Sequence, residues 1–355
     1  MATTLLGPLL PLLASRWAMS DASAGALFTA QFAGQLTATT LSTLVTARLG
    51  EGRTLALGFA LVALGVGAVG VVPASLSWPA VLVYGLGLGC VLPVTNVLVA
   101  ALAPTRAASA LSLVNVSWGV GAMVWPLIVA ALAGVHAAGA TTLVAVASLA
   151  AGVAWLLLPA IDGEDSRVAA TGSRPTAAGS GLVASYGVLI LLYVGAETAI
   201  SGWVAAYARR MTAGGGGAWA YASTAFWTAQ TTGRLLVPLL LGRVSERRLL
   251  VSSLVAAVAA VLILSTATTS VGGVIGAAAL AGLGVAAIFP LLWAGVTREI
   301  APSRPAAVGP LFAAGGVGGA ILPWMVGVVS NEYGLGTGLL VPLAALVLML
   351  TIRRS

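Results

Sequence analysis

Acidic side chains are rare in this sequence, and one of them stands apart. Asp21, Glu51, Asp162, Glu164, Asp165, Glu246, Glu299 and Glu332 all fall in polar connections between apolar runs, whereas Glu197 sits in the middle of one. If that run crosses a bilayer, holding a charge at mid-depth costs about 2.5–3.5 kcal/mol on insertion scales, so the carboxyl must face the protein interior or a wet gap. Two roles suit it: a proton acceptor or substrate ligand, or a structural carboxyl bonded to a neighbouring helix. Arg234 is the one arginine well inside an apolar run. Its axial position is about 9 Å nearer the arginine-rich side than that of Glu197, so the two pair only if both side chains reach. A gating or structural role for Arg234 is the competing expectation.

Uncharged polar and aromatic residues recur at helical spacing around these two. Gln31, Gln35, Thr39 and Ser42 share one face, as do Asn115, Trp118, Ala122 and Trp125, and also Trp227, Gln230 and Arg234. Asn96, Tyr193, Phe289 and Trp293 lie in further apolar runs. Amides bond hydroxyl groups and rings pack on the apolar faces of sugars, so the set suits a cavity for a neutral polyol. Taken singly, each residue also suits polar contacts between helices.

Other chemistries find little support. One cysteine, Cys90, and one histidine, His136, make neither a metal cluster nor an internal disulfide. Gly65, Gly67 and Gly70 spell a dinucleotide fingerprint, but in an apolar run with no preceding strand; close helix packing is the better reading. With no nucleophile–base pair in the apolar runs and no phosphate-binding loop, an enzyme is not expected, and no cofactor or metal is expected.

These residues must be positioned by membrane-spanning helices. Of the 355 residues, 59% are hydrophobic and 7% charged, and mean hydropathy is +1.07. So few charges cannot cover a water-soluble fold of this size; lipid must surround it. Apolar runs are expected to span at 1–15, 23–46, 54–73, 78–102, 108–133, 138–161, 184–208, 218–241, 249–267, 271–296, 306–330 and 335–352. The expectation is an all-α membrane protein of about twelve spans, the first of them short. Pro93, Pro126, Pro238, Pro290 and Pro323 are expected to kink or break their helices.

All sixteen basic residues are arginines. Arg48, Arg53, Arg106, Arg167, Arg174, Arg243, Arg247, Arg248, Arg298, Arg304, Arg353 and Arg354 fall on one side of the expected topology; only Arg16, Arg209 and Arg210 fall on the other. The positive-inside rule makes the former side cytoplasmic, with both termini there, in the plasma membrane. The net charge of +7 is thereby a topology signal, and no nucleic-acid partner is expected. Residues 162–183, rich in Gly, Ser, Thr and charge, read as a cytoplasmic linker between an N-terminal unit, 1–161, and a C-terminal unit, 184–355.

The two units repeat one another. Gly34 aligns with Gly233, Glu51 with Glu246, Gly85-Leu86-Gly87 with Gly282-Leu283-Gly284, Pro93 with Pro290, Ala103-Pro104-Thr105-Arg106 with Ala301-Pro302-Ser303-Arg304, and Pro126 with Pro323. The offset stays nearly constant and corresponds to six spans, which preserves orientation, so the repeats are parallel about an axis along the membrane normal.

Six plus six spans, a central cytoplasmic loop and basic loops after spans 2 and 8 resemble the major facilitator superfamily. Its loop motif G-x-x-x-D-R-x-G-R-R keeps its basic part here as Arg48 and Arg53, and as Arg243, Arg247 and Arg248; Ala47 and Gly242 stand where the motif has aspartate. Glu197-Thr198-Ala199-Ile200-Ser201-Gly202-Trp203 with Tyr207, then Gly233-Arg234 and Ile288-Phe289-Pro290, resemble the fucose:proton symporter branch. The resemblance implies two six-helix bundles related by a pseudo-twofold axis and a monomeric secondary transporter of a small solute, a sugar or neutral polyol, with proton coupling. It adds Trp203 and Tyr207 to the expected cavity and gives the loop arginines a gating or structural role. An exporter of drug-like compounds and a transport-inactive sensor or assembly protein are the alternatives.

Overall fold

A computed structural model describes residues 2–102, 106–132, 137–157, 179–212, 217–266, 269–301 and 304–352. Arg167, Arg174, Arg353, Arg354 and His136, and the expected linker up to residue 178, lie outside these residues. The helices in chain order are α1 (Leu6–Arg16), α2 (Asp21–Leu49), α3 (Glu51–Val71), α4 (Ser77–Leu102), α5 (Ala107–Leu132), α6 (Ala137–Leu157), α7 (Ser180–Arg210), α8 (Ala220–Leu241), α9 (Glu246–Thr266), α10 (Val271–Val285), α11 (Ile288–Glu299), α12 (Val308–Tyr333), α13 (Leu335–Gly338) and α14 (Leu340–Ile352). Residues 180–183, assigned to the linker by composition, form the first turn of α7.

Nine helical segments among the described residues are long and apolar enough to cross a membrane. The expected spans 1, 2 and 8 do not qualify, for different reasons. α1 has 11 residues. α2 and α8 have 29 and 22, but they carry the Gln, Thr and Arg stripes and are flanked by other helices, α4 and α12 for α2 and α5 and α10 for α8. Helices that line a polar interior need less apolar surface than helices that meet lipid.

Among the five prolines, Pro290 alone sits at a break. Its ring opposes the carbonyl of Ala286 and it lacks an N–H; α10 stops at Val285 and α11 starts at Ile288. Pro93, Pro126, Pro238 and Pro323 lie inside unbroken helices, so of the expected kinks or breaks only the one at Pro290 is a break.

Glycines set how closely these helices approach. Gly85 of α4 lies against the backbone of Gln31 in α2, and Gly87 against Gly58 and Val62 in α3. Their repeat partners do the same work: Gly282 of α10 lies against the backbone of Phe226 in α8, and Gly284 against Ala257 in α9. Gly65 and Gly70, part of the false dinucleotide motif, abut Tyr84 and Thr141. In lipid, where water does not drive helices together, such close approach is a main source of association.

Between the two sets of helices, contact is confined to part of the depth. Along α2 and α12 it descends from Asp21 and Gly327, through Gly25 and Pro323 and the hydrogen bond from Thr29 to the Ala320 carbonyl (2.8 Å), to Leu36 and Gly316. Along α5 and α8 it runs from Ala130 and Gly217 to Gly119 and Thr231. One turn further on the same faces, Thr40, Phe312, Asn115 and Leu235 are all exposed. The seams therefore part toward the arginine-rich side.

The opposite side is tied by charge. Arg210 at the end of α7 meets Asp21 at the start of α2 at 2.5 Å. Ser330 of α12 donates to the other oxygen of Asp21, and Arg209 donates to the Pro11 carbonyl at 2.6 Å. On the arginine-rich side, Arg298 grips Glu246 with two hydrogen bonds of 3.1 and 3.0 Å. Arg48, Arg53, Arg243, Arg247 and Arg248 are exposed and form no ion pair among the described residues.

A Gly85→Val substitution drives two methyl groups into the α2 backbone, where no side chain can give way. It should destabilise the protein by about 1–3 kcal/mol or more, read as a lowered unfolding temperature in detergent, whereas Gly272→Ala, inside α10 and meeting nothing within 4 Å, should not lower that temperature.

Candidate functional site: a cavity around an embedded ion pair

α7 and α8 run in opposite directions, and that explains how Glu197 and Arg234 meet. Side chains on a helix lean toward its N-terminus. Glu197 on α7 therefore leans toward the arginine-rich side, and Arg234 on α8 leans away from it. Together they close the axial gap: Arg234 Nη2 lies 2.8 Å from Glu197 Oε1. Arg234 is thus part of the site, not only a structural arginine near a helix end.

Two further donors converge on the same oxygen. Tyr193, one turn before Glu197, donates from its hydroxyl at 3.0 Å, and Gln230, one turn before Arg234, donates from Nε2. Glu197 Oε2 makes no hydrogen bond to any described residue. The Tyr193 hydroxyl is also 3.3 Å from Arg234 Nη2 and 3.3 Å from the Val285 carbonyl, next to the break between α10 and α11. The Arg234 guanidinium stands 5.9 Å from the Trp118 ring, a cation–π distance. Glu197 and Arg234 carry opposite charges, so the cluster adds no net charge to the cavity.

That cavity measures about 240 Å³ and takes its walls from both sets of helices. Gln31, Gln35, Trp118, Glu197 and Trp227, all expected from the sequence, line it. The Trp118 and Trp227 rings meet edge to face at 5.3 Å, and Trp118 Nε1 donates to Thr3 Oγ1 at 2.6 Å. Phe28, Phe32, Thr198 and Ser201 line it too and were not singled out in the sequence. Their spacing carries the signal: Phe28 and Phe32 flank the Gln31 and Gln35 stripe, and Thr198 and Ser201 share a face with Glu197.

Other expected residues are placed differently. Phe289 stacks on Tyr193 and Trp293 stacks on Phe289, each at 5.8 Å, so they back the charge cluster and are not among the cavity-lining residues. Asn96 and Asn115 lie one turn below Leu92 and Gly119 and are exposed; they have the right face but the wrong depth, beyond the point where the seam opens. Trp203 is buried and donates Nε1 to the Pro323 carbonyl at 2.9 Å, which makes it a strut between α7 and α12. Tyr207 is buried nearer the Asp21 side, with Gly336 beside its hydroxyl. Neither reaches the cavity because their positions on α7 turn away from the Glu197 face.

The chain belongs to the Major Facilitator Superfamily, whose sequence profile matches residues 1–323. Members are transporters, not enzymes. A solved variant of the nucleoside transporter NupG is 17% identical, covers 99% of this chain with 94% of its own, and superposes with a TM-score of 0.82. The Escherichia coli fucose:proton symporter FucP gives 19%, 99% and 94% with a TM-score of 0.62. A bacterial homologue of the human lysosomal transporter Spinster, described as inward-facing and occupied, gives 12%, 99% and 93% with a TM-score of 0.76. At these identities the likeness is one of fold. Among curated proteins no sequence relative matches.

Removing the cation should expose how much the ion pair holds. Arg234→Met should destabilise by about 2 kcal/mol, below the ~3–5 kcal/mol of a fully buried pair because the side chains are 29% and 15% exposed. Adding Glu197→Gln should recover more than half of that loss; thermal unfolding of the four purified variants forms the cycle that checks it.

Proposed function

We propose that this transporter carries a neutral, polyhydroxylated solute, a sugar or a nucleoside, by alternating access, and couples its movement to protons through Glu197. The single observation behind this reading is a carboxylate held by one oxygen, with the other free in a cavity that also presents two amides and two tryptophans. A free carboxylate oxygen and the Gln31 and Gln35 amides match hydroxyl groups; Trp118, Trp227, Phe28 and Phe32 offer flat apolar faces. The neutral sum of Glu197 and Arg234 disfavours an ionic substrate. The NupG and FucP structures, a nucleoside transporter and a fucose symporter, support a substrate of this kind. A drug-like substrate would find these amides and the carboxylate unmatched.

In this reading residues 1–161 and 184–355 are the two moving units, joined by a cytoplasmic linker. The arginine-rich side is cytoplasmic by the positive-inside rule, both termini lie there, and the membrane is the plasma membrane. The state described here is then inward-open, with the Asp21 and Arg210 pair closing the outer side. A proton arriving at Glu197 competes with Arg234 for the carboxylate, which is how proton binding would change the cavity.

Purified protein in vesicles should take up members of a panel of pentoses, hexoses and nucleosides when a pH gradient is imposed, and lipophilic cations should not compete. Glu197→Gln should lose gradient-driven uptake at least tenfold; full retention would remove the carboxyl from coupling. The outer closure has its own check. Asp21→Asn removes a partly exposed ion pair worth about 1 kcal/mol, a roughly fivefold shift between closed and open. In a Cys90→Ser background, a Thr198→Cys thiol in the cavity should then react several times faster with an impermeant reagent added outside.

A further inference from the structure

Gln230 is fully buried, and only half of its amide is used. Nε2 donates to Glu197 Oε1, while the amide carbonyl Oε1 has no donor. The Arg234 Nε, one turn along the same helix, is likewise buried without a partner. An unpaired buried acceptor is costly, typically about 1–3 kcal/mol, and a site that keeps one usually has a use for it.

The use follows from what the carboxyl requires in its two charge states. Ionised, Glu197 has only acceptors, and the Gln230 NH₂ is the correct group to face it. Protonated, one of its oxygens carries a hydrogen that must find an acceptor. Turning the Gln230 amide by half a revolution about its last torsion exchanges oxygen and nitrogen with almost no change in shape, and brings the idle carbonyl to the carboxyl. Arg234, released from the ion pair, keeps the Tyr193 hydroxyl at 3.3 Å and the Trp118 ring at 5.9 Å. Of the other two side chains on the carboxyl, Arg234 has no acceptor, and Tyr193 can accept only by turning its single hydrogen to the Val285 carbonyl.

We infer that Gln230 is a positioning residue for proton transfer: its amide reverses when Glu197 binds a proton, so that the oxygen held among Gln230, Tyr193 and Arg234 is hydrogen-bonded in both charge states of the carboxyl. The step is balanced. One O–H bond forms on Glu197 and its ion pair to Arg234 breaks, while one O–H bond of a hydronium ion in the cavity water breaks and leaves a water molecule. The charged and titratable groups facing Glu197 are Arg234 from α8 and Tyr193 from its own helix. Among the described residues α1, α10, α12 and α14, which also pack on α7, carry no charged side chain at this depth, and α11 has its only two at its far end. The inference rests on the proposed coupling role of Glu197, and its test separates the two.

The probe is the proton itself, so no substrate is needed. Infrared difference spectra of the purified protein are recorded through a pH titration, with glutamine side chains isotopically labelled. In the wild type, the band of the protonated Glu197 carboxyl and a change in a glutamine amide band should appear with one shared midpoint. Both should be missing in Glu197→Gln. In Gln230→Met, which keeps the size and removes both polar atoms, the carboxyl band should persist with its midpoint displaced by at least tenfold in proton concentration. A wild-type carboxyl band that titrates with no change in any glutamine band would overturn the inference, as would an undisplaced midpoint in Gln230→Met. The wild-type spectra decide even if Gln230→Met does not fold. If no carboxyl band assignable to Glu197 appears, the coupling role itself fails, a result distinct from the other two.

Discussion

The rest of this site depends on a charge that lipid forbids. A carboxylate at the depth of Glu197 cannot turn outward, and its neighbours cannot leave it unmet. The structure answers with three donors on one oxygen, drawn from two antiparallel helices whose side chains lean toward each other. That arrangement fixes which faces of α7 and α8 turn inward. It also accounts for α8 being too polar to pass as a span by hydropathy: the residues that lower its apolar character are the ones that hold the charge.

The helices around this cluster are brought close by glycine. The Gly-Leu-Gly pairs of α4 and α10 make equivalent contacts, each with the helix two before it and the helix one before it. One packing rule used twice yields two similar units, and the cavity lies where they face each other. Because the seams hold from the Asp21 side to about mid-depth and part beyond Leu36 and Gly119, the cavity has a sealed end and an open end without any helix having to unwind. The polar ties described across the sealed end are partly exposed.

Much of this was legible in the residues alone, because composition and periodicity report the solvent around each helix. The all-helical architecture, most of the spans and the singular position of Glu197 follow from where charges are absent. Depth and lean were harder to read. Arg234 was placed at the right height on its helix, yet height along an axis does not state which way a side chain tilts, so its pairing stayed open. Asn96 and Asn115 occupy the expected faces but sit past the point where the seam parts, and no local pattern marks that point. Trp203 and Tyr207 belong to a recognisable motif, but they lie on the side of α7 turned away from the cavity-lining Glu197, Thr198 and Ser201, and only the packing of α12 and α14 on α7 shows it. The prolines are alike in sequence; Pro290 alone ends a helix.

That interruption sits beside the charge cluster. The Tyr193 hydroxyl lies within reach of both the Glu197 carboxylate and the Val285 carbonyl at the end of α10. A phenol owns one hydrogen and can give it to one acceptor at a time. The Glu197 carboxylate and the severed end of α10 therefore compete for one hydrogen, right beside the interruption between Val285 and Ile288.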